Sequence, residues 1–122
     1  MADLLLTGSA WLHAKLSANA AHPVTYRRGE QTAQAMATVG RTPFRVEDGG
    51  VLLRIDTRDF IISADQLTAF GNPEDGDQID ETTNGVTVTH EMYAPAGEPP
   101  WRWSGPDRIR YRIHTQRISQ QA

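Results

Sequence analysis

The residues through which this chain could act on a substrate are few, and their spacing argues against a shared site. Four histidines, His13, His22, His90 and His114, are present; no two stand at i,i+4 and no His-Glu-x-x-His run occurs. His90 and Glu91 are neighbours in a stretch of strand-like alternation, where adjacent side chains point to opposite faces, so they cannot serve one substrate together. No Gly-x-Ser-x-Gly surrounds any serine, and Ser9, Ser17, Ser63, Ser104 and Ser119 sit where capping, turn or tail roles suffice. Gly49-Gly50 and Gly71 read as turn glycines, not as a phosphate cradle. Asp75, Asp77, Asp80 and Glu81 offer oxygens to a hard cation, but the spacing and flanking helices of a calcium loop are missing, which leaves, with Glu74 and Gly76, a solvated acidic loop. With no cysteine there is neither thiolate zinc site nor disulfide. No catalytic residue, metal or cofactor is therefore expected.

Two clusters suit contact better than catalysis. Arg108, Arg110 and Arg112 alternate along one face of the last apolar run; like charges in a row call for acids from a neighbouring strand or a second chain. Pro99-Pro100-Trp101-Arg102-Trp103 sets two indoles around a guanidinium in a segment that proline holds extended. Tryptophan and arginine are favoured interface anchors, though the same segment could instead plug the end of its own fold. All but Lys15 of the twelve basic residues are arginine, which favours planar paired contacts. The net charge of −3 and the lack of basic runs argue against clamping a phosphate backbone.

The elements that must carry these groups follow from periodicity. Ser9 to Ala20 predicts an amphipathic helix, with Trp11, Leu12 and Leu16 needing cover from the body or a neighbour, stopped by His22-Pro23. From Val24 the period changes to two. Val24-Tyr26-Arg28, a turn at Gly29-Glu30 and Thr32 to Val39 read as a hairpin. Phe44 and Val46 open a third strand, Asp48-Gly49-Gly50 turns it, and Val51 to Ile55 and Phe60 to Ile62 follow. Ser63 to Leu67 suits one helical turn, Asn84-Gly85 a tight hairpin before Val86 to Tyr93, and Ile109-Tyr111-Ile113 a last strand with a fraying tail. Ile79, Val86, Val88 and Met92 are expected inward. Turns about every ten residues indicate a mainly β fold, a small antiparallel barrel or sandwich with one N-terminal helix and long loops. In this reading residues 1–22 form a helical arm, 23–116 the barrel and 117–122 a tail. The apolar stretch Leu4 to Leu6 is too short for a membrane span or an export signal.

Gly97-Glu98-Pro99-Pro100-Trp101-Arg102-Trp103-Ser104-Gly105-Pro106, then Arg110 and Arg112-Ile113-His114-Thr115, resembles the C-terminal signature of prophage head-tail joining or head-completion proteins. Val24-Thr25-Tyr26-Arg27-Arg28-Gly29, and Gly76-Asp77-Gln78-Ile79 with Gly85 and Tyr93-Ala94-Pro95, resemble the pattern of neck stopper proteins. The resemblance runs from about Trp11 to Gln116, departing at Gly105 and Gln116, where Asp and Lys are usual. It implies a barrel that forms a ring of six or twelve copies in the virion neck, after assembly in the host cytoplasm. Such a ring meets a portal or adaptor protein on the head side and a tail terminator or tube protein on the other. Genomic double-stranded DNA passes through without specific binding.

Two other readings compete: a tail-completion protein, and a small barrel that binds single-stranded nucleic acid on Trp101, Trp103 and Tyr26. For a stopper, the acidic segment Gly71 to Gly85 is the expected gate on the conduit side, and Trp11, Leu12, Leu16, Pro99 to Trp103 and the three arginines the expected interface.

Overall fold

The computed structural model describes residues 21–95 and 97–121. The elements are β1 (Ala21–Arg28), β2 (Gln31–Asp48), β3 (Val51–Ser63), a 3₁₀ turn (Ala64–Leu67), β4 (Gln78–Thr83), β5 (Val86–Met92), β6 (Trp101–Trp103) and β7 (Arg110–Gln121). All pairings are antiparallel, and the sheet order is β3-β2-β1-β4-β5-β7-β6. A further pairing of β3 with β7 brings the last long strand back to the first, so the hydrogen-bonded circuit closes on itself. Closure covers the edges of the body strands that would invite unwanted strand addition, leaving those of β6 and of the outer halves of β2 and β3.

Alternation fills the inside. Val24 and Tyr26 of β1, Ala35 and Ala37 of β2, Phe60 and Ile62 of β3, Ile79 of β4, Met92 of β5 and Tyr111 and Ile113 of β7 are all buried. Each fully buried large apolar side chain is worth roughly 1.5–3 kcal/mol relative to an exposed one. Leu67 from the 3₁₀ turn and Phe70 join this cluster, and Trp101 and Trp103 pack against it. Turn chemistry follows the residues: Asn84 and Gly85 take φ of 52° and 79°, the left-handed pair that a two-residue hairpin between β4 and β5 requires.

Several expectations are corrected. The helix over Ser9 to Ala20 lies outside the described residues, as do Trp11, Leu12 and Leu16. The two runs Thr32 to Val39 and Phe44 to Val46 are one eighteen-residue strand, because β2 passes through Gly40 and Pro43 without breaking. Proline is tolerated at position 43 since β1 accompanies β2 no further than Thr38, which leaves that edge without a β1 partner for the missing N–H. Val51 to Ile62 is likewise one continuous strand. Ser63 precedes the 3₁₀ turn but makes no side-chain cap. The tail does not fray at Ser119 and Gln120, which pair with Thr89 and Val88 of β5. Ile109, expected in the last strand, precedes β7 and is 56% exposed, while Tyr111 and Ile113 are buried.

One consequence of the unequal strand lengths positions everything that follows. β7 accompanies β3 from Ser63 to Arg58, and β1 accompanies β2 as far as Thr38. Past Arg41 and Arg58, β2 and β3 pair, among the described residues, only with each other, from Thr42↔Thr57 to Asp48↔Val51. They form a two-stranded arm that leaves the body of the sheet.

Candidate docking surfaces and the networks that hold them

Three carboxylates that the acidic and apolar patterns did not single out for burial fasten the walls. Asp59 on β3 has no exposure. It accepts from Arg112 Nε at 2.7 Å, Thr57 Oγ1 at 2.7 Å and Thr42, and lies 2.9 Å from His114 Nδ1. Burial by itself would raise this carboxyl's pKa; the hydrogen bonds from His114, Thr42, Thr57 and Arg112 together outweigh it and hold the group well below the usual carboxylate range. Arg112 also reaches the Arg41 carbonyl at 3.2 Å. That crossing passes over Gly40, where an added Cβ would stand 2.9 Å from an Arg112 nitrogen.

Glu81 does the same from β4. It accepts from Arg58 Nε at 2.7 Å and Arg58 Nη2 at 2.8 Å, with His22 Nε2 at 2.8 Å and His90 Nε2 at 2.8 Å. One carboxylate thus ties β1, β3 and β5. Burial pushes its pKa up, and the contacts with His90, Arg58 and His22 push it further down, well below the ordinary value. Asp77, just before β4, accepts from the Tyr26 hydroxyl, from Arg28 through both Nε and Nη2 at 2.9 Å, and from the Glu74 amide at 3.0 Å. Burial, then the Asp77 contact, raises the Tyr26 phenol far above its usual range.

The solvated acidic loop is therefore corrected: Asp77 and Glu81 are buried, and Asp80 takes a bidentate bond from Arg27 Nη2 at 2.7 and 2.6 Å, while Glu74, Asp75 and Gly76 remain exposed. The sequence signal for this was present: Tyr26, Arg27 and Arg28 on β1 face Asp77 and Asp80 across the β1–β4 pairing, and a run of aromatic and cationic residues seeks such acids.

The tryptophan segment closes one side of the fold. Trp103 stacks on Tyr111 with ring centroids 4.7 Å apart, Trp101 meets Tyr111 edge-on at 5.3 Å, and the two indoles meet at 5.6 Å. Arg102 points the other way and is exposed, so the indoles do not sandwich it. Pro99, Arg108 and Ile109 are exposed, Pro100 and Arg110 half-buried, and Arg112 is spent on Asp59. The three arginines thus differ: Arg112 builds the wall, whereas no acid among the described residues pairs with Arg108 or Arg110. The platform of Tyr26, Trp101 and Trp103 needed to stack single-stranded bases is absent, because Tyr26 is fully buried and both indoles lean on the core.

At the end where the arm departs, the sheet opens into a cavity of about 510 Å³. Asp56 and Arg58 from the arm's root, Glu81, Val86, Val88 and His90, and Thr115 to Arg117 line it. Inside it His90 is 4% exposed with Nδ1 unpartnered. A smaller hollow of about 230 Å³ lies between Thr42 and Phe44 and the Glu98 to Arg102 segment. The arm itself carries the exposed apolar residues Val51, Leu52 and Leu53. Nothing in the hairpin pattern of residues 44–55 had marked it as the most solvent-exposed apolar surface.

Against this geometry stands one comparison: residues 2–122 match the phage head-tail joining protein family. The chain belongs to that family. A search of curated proteins finds no match. Family membership makes it a structural component at the junction of phage head and tail, which accords with a fold whose buried charges fasten strands together. Among the described residues no helix is long and apolar enough to cross a membrane.

Proposed function

We propose that this chain is a ring-forming head-completion protein of the phage neck: a small closed barrel whose copies sit beneath the portal or adaptor, shut the filled head and offer the tail terminator or tube a docking surface. The observation that carries the reading is the family match over residues 2–122, and the projecting arm supports it, since a part that joins others must leave its own body. The exposed Glu74, Asp75 and Gly76 form the conduit side, where acidic groups keep passing DNA from sticking. Pro99, Arg102, Arg108 and Arg110 serve the contact with neighbouring proteins, with Trp101 and Trp103 holding that surface in shape from beneath.

Loss of the chain from a phage that encodes it tests this. The expected result is DNA-filled heads and finished tails that fail to join, restored when the chain is supplied. Intact joined particles without it would overturn the reading; joined particles with unfilled heads, or heads joined to aberrant tails, would favour the tail-completion role.

A further inference from the structure

The exposed arm has chemistry that its own body cannot use. From Thr42↔Thr57 outward it has no further strand partner among the described residues; Thr42, Thr57 and Phe44 still touch the body, and the tip beyond them is a two-stranded ribbon, which alone is marginal in water. The six steps from Thr42 to Asp48, at about 3.4 Å each, give a length of about 20 Å, against a radius of gyration of about 14 Å for a domain of this length. The arm is long enough to cross onto another molecule. Cross-strand partners share a face, so the tip couples Asp48 with Val51 on one side and Glu47 with Leu52 on the other. All four residues are exposed, and no cation among the described residues pairs with either acid.

The mouth of the sheet has the complementary set. Val86 and Val88 stand half-buried in it, and Arg117, exposed and bonded only to the Gln120 side chain among the described residues, stands beside them. A chain cannot satisfy its own mouth with its own tip. Asp56 lines the mouth, and Val51 lies five residues further along a paired strand, about 17 Å away.

The geometry points to a second copy of this chain as the occupant: the tip of one subunit enters the mouth of the next with its Glu47–Leu52 face, Leu52 against Val86 and Val88 and Glu47 facing Arg117. Such a contact is head-to-tail, uses a different patch on each partner, and closes into a ring when the rotation allows. It rests on the ring reading above and names the interface.

Because the chain has no cysteine, the test is direct. Leu52→Cys combined with Val86→Cys changes two surface-accessible positions. Particles that incorporate this full-length double variant are oxidised mildly and resolved without reductant. The expected result is a ladder of dimers, trimers and larger species, absent from either single variant and from Leu52→Cys with an exposed control, Thr68→Cys. A charge exchange supplies the second readout. Arg117→Glu lowers joined particles about tenfold, and adding Glu47→Arg restores them. Particles that contain the double variant, are joined, and yield only monomer overturn this interface while leaving the neck role intact; joined particles lacking the chain overturn the neck role itself. A crosslink within one chain between Leu52→Cys and Trp11→Cys, in place of the ladder, would show that residues 1–20 cover the tip and would overturn the second-copy assignment.

Discussion

Replacing Asp59 should cost this fold more than any exposed arginine does. Asp59 has no exposure and receives four groups: Arg112, His114, Thr57 and Thr42. Asp59→Ala leaves the Arg112 guanidinium, itself one-fifth exposed, without its counter-charge and strands three other donors. Breaking one side of such a pair costs about 3–5 kcal/mol, because the remaining charge stays buried and uncompensated. For a chain between the size classes where 1 kcal/mol moves the midpoint by about 2–4 °C and 4–8 °C, this lowers Tm by roughly 10–20 °C. Asp59→Asn keeps the shape but turns an NH₂ toward a donor, so its cost stays above about 2 kcal/mol. Urea unfolding followed by tryptophan fluorescence reads both. A cycle with Arg112→Leu separates the pair from its surroundings: the double variant should recover at least about 1 kcal/mol of the summed single losses. If Asp59→Asn lies within about 0.5 kcal/mol of the parent protein, the buried network does not fasten β2, β3 and β7, and the account of the wall is wrong.

Stability should fall as acid is added below about pH 4. With Asp59 and Glu81 held below their ordinary values, the unfolded chain binds more protons than the folded one in that window, so stability rises with pH there; Asp59→Asn with Glu81→Gln should flatten the slope, read as urea midpoints from pH 3 to pH 7. Trp103→Ala should destabilise by about 2–3 kcal/mol through the lost Tyr111 stack, whereas Arg102→Ala should leave unfolding unchanged; stability unaffected by Trp103→Ala together with failed joining would return the indole to an interface role. Gly40→Ala should cost about 1 kcal/mol, since Arg112 is anchored at both ends and cannot swing aside cheaply; a neutral result in thermal denaturation would mean that it can. In hydrogen exchange, amides of Asp75 and Gly76 should slow on assembly, while those of Gln78 to Asp80 stay slow throughout, that half of β4 being paired on both sides; rapid exchange there in the isolated chain would revive a gate across the whole of Gly71 to Gly85.

The strands that alternate cleanly, Val24 to Arg28 and Val86 to Met92, were legible in the residues, as was the Asn84-Gly85 hairpin, because side-chain period and turn conformation are local properties. The long β2 was not, since Gly40 and Pro43 are ordinarily breakers, and here they lie where β1 no longer accompanies β2 among the described residues. The acids divide in the same way. Asp75 reads correctly as exposed from its breaker-rich surroundings. Asp59, Asp77 and Glu81 do not read as buried, because their burial depends on arginines far off in the chain: Arg112 lies 53 residues from Asp59, Arg28 49 from Asp77 and Arg58 23 from Glu81. The mouth and the arm tip escaped notice for a related reason: each is defined by where strands stop accompanying one another, which no single strand records.

Arginine usage ties the fold to its task. Arg27, Arg28, Arg58 and Arg112 are committed to Asp80, Asp77, Glu81 and Asp59, so four of the cations and four of the acids cancel within the walls. No acid among the described residues pairs with Arg45, Arg102, Arg108, Arg110 or Arg117, and these sit on the arm, at the tryptophan segment and at the mouth. Cations divided among three separate places cannot neutralise a continuous run of phosphates, which tight non-specific DNA binding demands, and the exposed Glu74 and Asp75 work against it. Each place can instead meet one acidic patch on a protein partner, where a lone arginine gives orientation as well as attraction. The chain's mild net negative charge and its arginine-rich composition are then compatible: paired arginines fasten the strands of the sheet, and unpaired ones, dispersed, suit acidic patches on proteins better than a run of phosphates.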